Sequence, residues 1–317
     1  MDALSDVLKA VRLTGAVFFD VRAAAPFVAE APSSADLAGR VIPGAQHLVH
    51  YHVVSEGSVW GGLHDEPDVH LTAGDIIVFP HGDAHVLSSA PGMRGTLDLA
   101  RFDAAQAQAR PFALSVGDGP TASAHFVCGF LGCDARPFNP LLAALPRMIH
   151  VRGGAGGATE AFVRMALAEG ADRRPGSDVV LGRLSELMFV DVVRRYLETL
   201  PPERAGWLAG LREPFIGRAL AALHASPARD WTLESLAREV ALSRSALAER
   251  FTELVGQPPM QYLTSWRMQL AAGQLAAGAD SVSSVAARVG YESEAAFSRA
   301  FKKATGVAPG RWRRQSA

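Results

Sequence analysis

VSSVAARVGYESEAAFSRAFKKATGVAPGRWR, residues 282–313, decides how the rest of this chain is read. Val282, Val285, Ala286 and Val289 recur at i, i+3, i+4 and i+7, the apolar stripe of a short amphipathic helix. Ser281 precedes it, where a hydroxyl can accept from the first free backbone amides. Gly290 fits a tight turn that asks for positive φ. A second helix then carries Phe297 and Phe301 and stops at Gly306. Two short helices joined this way form a helix-turn-helix, whose second helix enters the DNA major groove.

The same pattern occurs a second time about 50 residues earlier. Leu233, Leu236, Ala237 and Val240 match the first helix at a spacing of 49. Leu247, Phe251, Gly256, Pro259 and Tyr262 match Phe297, Phe301, Gly306, Pro309 and Trp312 at a spacing of 50. Thr232 is the corresponding N-cap. Residues 259–278 become the connecting helix, with Leu263, Trp266 and Leu270 expected on its buried side. Such a duplication lets one chain present two recognition helices. If they lie about one DNA turn apart, roughly 34 Å, both reach major grooves on one face of the duplex.

Charge follows the same division. Residues 231–317 hold eleven Lys/Arg and seven Asp/Glu, against twenty and twenty-five in the remainder, so a basic end joins an acidic body. That asymmetry suits a polyanionic partner for the basic end.

The blocks LESLAREVALSRSALAERF (233–251), GQPPMQYLTSWRMQLA (256–271) and 282–313 resemble the DNA-binding domain of the AraC/XylS family of bacterial regulators, over residues 213–314. Ala241 departs from the pattern, where glycine is frequent. The resemblance implies base-facing positions at Arg244, Ser245, Ala248 and Glu249 in the first recognition helix. In the second it implies Glu294, Ala295, Ser298 and Arg299. Arg reads guanine bidentately, Glu accepts from cytosine and Ser is permissive. Lys302, Lys303, Arg311, Arg313 and Arg314 are expected to neutralise phosphates. The resemblance also implies double-stranded promoter DNA and RNA polymerase as partners, and activation rather than repression.

Before about Pro146 the periodicity is different. Short apolar or alternating runs (HLVHYHVV, DVHLTAGDIIVFP, SAHFVCGFLG) are broken by Gly, Pro, Asp and Ser, as in an all-β barrel or sandwich. Gly44, His50, His52 and Glu56, then Gly74, Pro80, Gly82 and His85, are spaced like the two cupin motifs, with Ser89 where the second often ends in Asn. Residues two or four apart on a strand share a face, so His50, His52 and Glu56 are expected to project together, with His85 joining from a neighbouring strand. Three imidazoles and a carboxylate suit Zn, Ni, Fe or Mn. The alternative is a barrel with satisfied core histidines and an effector pocket lined by the same positions. The resemblance implies that such a barrel serves as the sensor. His47, His64, His70, His81 and His125 are read as surface or packing residues. Cys128 and Cys133 have an odd separation, which puts them on opposite faces of a regular strand, unless a turn at the intervening glycines brings them together as a redox pair or alternative metal ligands.

Between the two parts, residues 177–200 place Leu181, Leu184, Met188, Val192 and Tyr196 at helical steps and add Leu187, Phe189 and Val193. A stripe that wide either packs on the barrel or forms a homodimer interface. The stretch RGGAGGATE (152–160) lacks the Gly-Lys-Ser/Thr ending of a phosphate loop and reads as a connection, and residues 201–210 as a boundary.

The expected fold is therefore α+β. A cupin-like sensor barrel spans 1–150, a helical dimerisation or linker region 159–200, and an all-α domain with two helix-turn-helix units 213–317. Residues 1–19 carry Asp2, Asp6, Lys9 and Arg12 and lack the order of a signal peptide, and no apolar run reaches the roughly 18 residues of a membrane span, so the expected location is cytoplasmic. The expected function is sequence-specific transcription regulation in response to an unknown small molecule, a metal or a redox signal. A metal-dependent cupin enzyme fused to a DNA-binding module is the alternative.

Overall fold

In the computed structural model, residues 2–37, 41–42, 44–100, 112–153, 158–172, 174–201, 206–278 and 280–316 are described. The centre of the glycine-rich stretch, 154–157, and residues 202–205 of the expected boundary lie outside them. The chain divides into two units: residues 13–133 with 145–199, and residues 1–12 with 134–144 and 200–317.

The first unit is a curled, half-barrel sheet of β1 (Thr14–Ala23), β2 (Val28–Ala31), β3 (His47–Leu63), β4 (Val69–Thr72), β5 (Ile76–Phe79), β6 (His85–Ser88), β7 (Phe112–Val116), β8 (Ala124–Cys133) and β9 (Ile149–Val151). Its main path runs β2-β6-β3-β8-β1-β7. All of these neighbours are antiparallel except β1 and β7, which pair in parallel. The long β3 organises the sheet: β5 and then β4 run along one side of it, while β8 and then β6 pair with the other. Its two faces are both covered. Leu48 and Val54 join the interior core with Phe19, Val21, Phe126 and Phe130. Tyr51 and Val53 face outward onto helices α4 (Ala158–Asp172) and α5 (Ser177–Thr199), numbered after α1 (Ala3–Ala10), α2 (Ser34–Leu37) and α3 (Pro140–Ala144). Over its first half, Leu48–Val54, every residue of β3 is buried, as in a strand covered on both faces.

Helix α5 lies close to β1 because Gly15 and Gly182 meet; a Cβ on Gly182 would stand 2.7 Å from the Gly15 carbonyl oxygen. Tyr51 Oη and Ser185 Oγ, 2.6 Å apart, fasten the same helix to β3. Leu181, Leu184, Met188, Phe189, Val192 and Val193 are buried, whereas Val179 and Leu187 are exposed. The wide stripe is thus mostly spent on the sheet of its own unit.

The second unit is helical: α6 (Trp207–Arg212), α7 (Pro214–Ala225), α8 (Leu233–Glu239), α9 (Arg244–Val255), α10 (Pro259–Ala276), α11 (Val282–Arg288), α12 (Glu294–Thr305) and α13 (Pro309–Ser316). Residues 1–12 and 134–144 group with it, which interrupts the expected 1–150 sensor segment. Arg12 joins them there, donating from Nε and Nη2 to the two carboxylate oxygens of Asp134 at 2.7 and 2.9 Å. Gln269 Oε1 accepts from the Phe138 amide at 3.0 Å. Trp207 Nε1 donates to Tyr262 Oη at 2.8 Å, and that oxygen lies 2.7 Å from His224 Nε2.

Candidate functional site

The two repeat copies fold alike for local reasons. Thr232, Ser243, Ser281 and Ser293 each accept a backbone amide at the start of α8, α9, α11 and α12. Gly256 and Gly306 end α9 and α12 in the left-handed conformation. The turns also match: Gly290 has φ +84° and Ala241 φ +59°. Ala241 therefore carries a left-handed strain that glycine would not.

Inside each copy the apolar stripe closes a core. Leu236, Ala237, Val240, Leu247 and Phe251 are buried in the first, and Val285, Ala286, Val289, Phe297 and Phe301 in the second. Leu263 and Trp266 of α10 are buried, and Leu270 packs at the edge of the second core. On the opposite faces Arg244, Ser245 and Glu249 are exposed with Ala248 half-buried; Glu294, Ala295 and Arg299 are exposed with Ser298 half-buried. Lys302, Lys303, Arg311 and Arg314 are exposed as well. Arg313 differs from the other basic positions, since its guanidinium donates to the Asp280 carbonyl oxygen at 3.2 Å. Arg250 and Arg288 are held in ion pairs with Glu213 and Asp280. The exposed set is the one free to meet phosphates and base edges.

A second candidate site lies inside the half-barrel, in a cavity of about 110 Å³. Phe19, Val21, Leu87, Leu114, Phe126 and Phe130 are its apolar walls. His50, His52, His85 and Cys128 also line it, and Glu30 and Asp98 supply carboxylates. Three of the four expected ligand residues therefore converge: β3 brings His50 and His52, and β6 brings His85.

Glu56 does not join them. The ladder between β3 and β8 slips between Val54 and Glu56, leaving Ser55 as an extra residue. That bulge turns Glu56 away, and it is exposed opposite His125. Gly57, at φ +71°, follows directly, where a Cβ would strike the Ser123 carbonyl oxygen.

The imidazoles form a defined hydrogen-bonding arrangement. His85 Nδ1 lies 2.8 Å from the Asp83 carbonyl oxygen, an acceptor only, so Nδ1 carries the proton. His85 Nε2 is then a lone pair, and it accepts from His52 Nε2 at 2.6 Å. The His85 ring stacks on Phe79 at 3.8 Å, and Phe130 meets His50 edge-on at 4.9 Å. His52 Nδ1 and both nitrogens of His50 are buried without a partner. Burial holds His50 and His52 well below the ordinary imidazole range and takes His85 down to about 4, so all three are neutral at pH 7.

These residues do not fit a four-ligand cupin metal centre. Two nitrogens bound to one metal at about 2.1 Å stand roughly 3.3 Å apart in tetrahedral geometry. His52 and His85 are instead at hydrogen-bond separation. With Glu56 outside, no group of three His, Cys, Asp or Glu side chains is arranged to hold a metal among the described residues.

Nor do the cysteines come together. β8 runs unbroken from Ala124 to Cys133, without a turn at its glycines. Five strand residues span roughly 16 Å, too far for a disulfide or a shared ion. Cys128 faces the cavity with its thiol pushed far up by burial. Cys133 is buried at the end of the strand.

Sequence reasoning did not identify Glu30 or Phe130 as lining residues. Glu30 Oε1 accepts from the Gly95 amide and its Oε2 pairs with His64, so a histidine read as a packing residue holds a wall carboxylate in place.

Comparison with known proteins finds relatives of both domains. A family profile described as Cupin matches residues 2–198, and one described as Helix-turn-helix domain matches residues 236–315. A Streptomyces lividans protein described as an AraC-like transcription regulator is 37% identical over 255 residues, 79% of this chain and 81% of its own. The HTH-type transcriptional regulator AlkR of Acinetobacter baylyi is 32% identical over 278 residues, covering 86% of this chain and 90% of its own. Among solved structures, the DNA-binding domain of AdpA in complex with a target DNA is 30% identical, covers 32% of this chain and 91% of that one, and has a TM-score of 0.30.

Proposed function

This chain belongs to the AraC-like transcription regulators with a cupin domain, and on that premise we propose that it activates transcription from promoter DNA when a small molecule occupies its half-barrel. The observation that carries the DNA-binding part is the duplicated helix-turn-helix, whose two second helices present Arg244 and Arg299 on exposed faces. Activation rests on the resemblance to AraC/XylS regulators and implies contact with RNA polymerase.

The sensor part rests on the cavity. A ligand there shifts activity only if it binds the DNA-competent and incompetent arrangements with different affinity. Strands β1 and β8, which line the cavity through Phe19, Val21, Phe126, Cys128 and Phe130, lead in sequence into residues 1–12 and 134–144 of the DNA-binding unit. That connectivity gives a bound molecule a covalent route to the helices. A metal-dependent cupin enzyme would need the four-ligand centre from which Glu56 is missing.

Self-association through α4 and α5 is part of the same proposal. Met165, Val179, Val180 and Leu187 are large apolar side chains left exposed there. A cytoplasmic location fits the family's work on DNA, and no helix among the described residues is long and apolar enough to cross a membrane.

The experiment is a fluorescence anisotropy titration of the full chain with a duplex enriched from a random pool, competed with unrelated duplex. Retention of the enriched duplex under excess competitor is expected. Equal displacement by any DNA would overturn sequence-specific regulation.

A further inference from the structure

We propose that the half-barrel cavity binds a small, uncharged, mainly apolar molecule carrying one hydroxyl group, with His50 as the residue that selects the hydroxyl. This rests on the reading of the domain as a sensor and names the chemistry it senses.

The size comes from the cavity, about 110 Å³ and walled by aromatic and aliphatic side chains. An enclosed apolar cavity of roughly 150 Å³ accommodates benzene; this one is smaller but opens at the exposed Thr96 and Asp98, so a single small ring reaching that rim, or a short branched chain, is the right scale.

The polar requirement comes from nitrogen atoms that the protein leaves unsatisfied. His50 is 1% exposed and His52 5% exposed. Both His50 nitrogens and His52 Nδ1 lack a partner. The hydrogen bonds of His85 fix His52 with its proton on Nε2, so His52 Nδ1 is a bare acceptor. Neutral His50 offers one N–H and one lone pair. A hydroxyl both donates and accepts, and so can satisfy either nitrogen of His50, or bridge His50 and His52. Buried polar groups without partners are costly, which is why a site lined by them discriminates strongly for the ligand that completes them.

Charge at the cavity narrows the class further. Burial keeps the three imidazoles neutral, so they provide no cation for a carboxylate ligand. Glu30 and Asp98 would repel one. An ammonium ligand finds Glu30 already engaged with Gly95 and His64. Cys128 stays a thiol and behaves as part of the apolar wall.

Phenol and toluene have the same number of heavy atoms and differ only in the hydroxyl, while the larger benzoate adds a negative charge. Isothermal titration calorimetry with the full chain is expected to show saturable phenol binding, toluene weaker by at least about tenfold, and no benzoate binding. His50→Phe should lower phenol affinity to that of toluene. His50→Gln, which still donates and accepts, should keep the preference for phenol. It also guards against a fold defect in the first variant. Toluene equal to phenol, displacement of phenol by benzoate, or an unchanged phenol preference in His50→Phe would overturn the proposal. So would no binding of any probe, the result if water alone completes His50 and His52. Binding of the enriched duplex by the same preparation needs no phenol and reports separately on the regulator reading.

Discussion

The Nε2 atoms of His52 and His85 lie 2.6 Å apart inside the cavity, His52 donating and His85 accepting, and this hydrogen bond sets the tautomer of His52. Asp83 starts the chain by accepting from His85 Nδ1. The consequence is a pair that stabilises the sheet only as a pair. Replacing His85 with Leu leaves the His52 N–H buried without an acceptor, at a cost of about 1–3 kcal/mol. In urea unfolding, the double variant His52→Leu/His85→Leu should be less destabilised than the sum of the two single variants. Additive losses would show that the hydrogen bond contributes nothing of its own.

The same geometry bears on metal content. Protein purified without chelator should contain no stoichiometric transition metal by mass spectrometry. One metal per chain, lost in His52→Ala, would contradict the arrangement described for β3 and β6.

Ala241 and Gly290 occupy the same place in the two turns, and both have positive φ. Ala241→Gly should stabilise the DNA-binding unit, by about 1 kcal/mol from relieved left-handed strain less the added chain entropy. Gly290→Ala should destabilise it by more, because its Cβ would lie 2.6 Å from the Ala228 carbonyl oxygen. Thermal unfolding of the two variants, compared with wild type, checks both signs.

His224 makes the stability of the helical unit sensitive to acid. Burial takes its imidazole to about 3 in the folded chain, against about 6.5 when unfolded. The unfolded state therefore binds the extra proton between these values, and stability falls as pH falls through that window. Above pH 6.5 this contribution is fully present. Between pH 6 and 5 wild type should lose on the order of 1 kcal/mol more than His224→Gln, measured by urea unfolding at each pH.

Lys302 and Lys303 are exposed on α12, beyond the base-facing positions. Replacing either with Ala should weaken binding to every duplex alike and reduce the slope of log K against log salt by about 1. Anisotropy titrations at several salt concentrations give that slope directly. An unchanged slope would remove these lysines from the phosphate contacts.

What could be read from the sequence was what depends on local periodicity. The two helix-turn-helix copies need only the i, i+3, i+4, i+7 stripe, an N-cap and a glycine, all within about 25 residues. The placement of His50 and His52 on one face of β3 needs only the alternation of a strand. Glu56 was placed wrongly because that alternation assumes a regular ladder, and the extra residue at Ser55 depends on pairing with β8, 70 residues away. The grouping of residues 1–12 with the C-terminal helices, the Arg12–Asp134 pair and the part of Glu30 in the cavity wall are likewise non-local. No periodicity reports them. For Cys128 and Cys133 the sequence permits two arrangements, because glycines allow a turn without requiring one, and β8 continues straight through them.

Two recognition helices in one chain call for two blocks of sequence in the bound duplex. Selection of bound duplexes from a random pool, run with the wild-type chain and with Arg244→Ala and Arg299→Ala, reads these blocks. Two sequence blocks about one helical turn apart are predicted, roughly 10 base pairs centre to centre. Each variant should blur one block by about 1–3 kcal/mol and leave the other intact. A single block, or both variants eroding the same block, would contradict recognition by two helices.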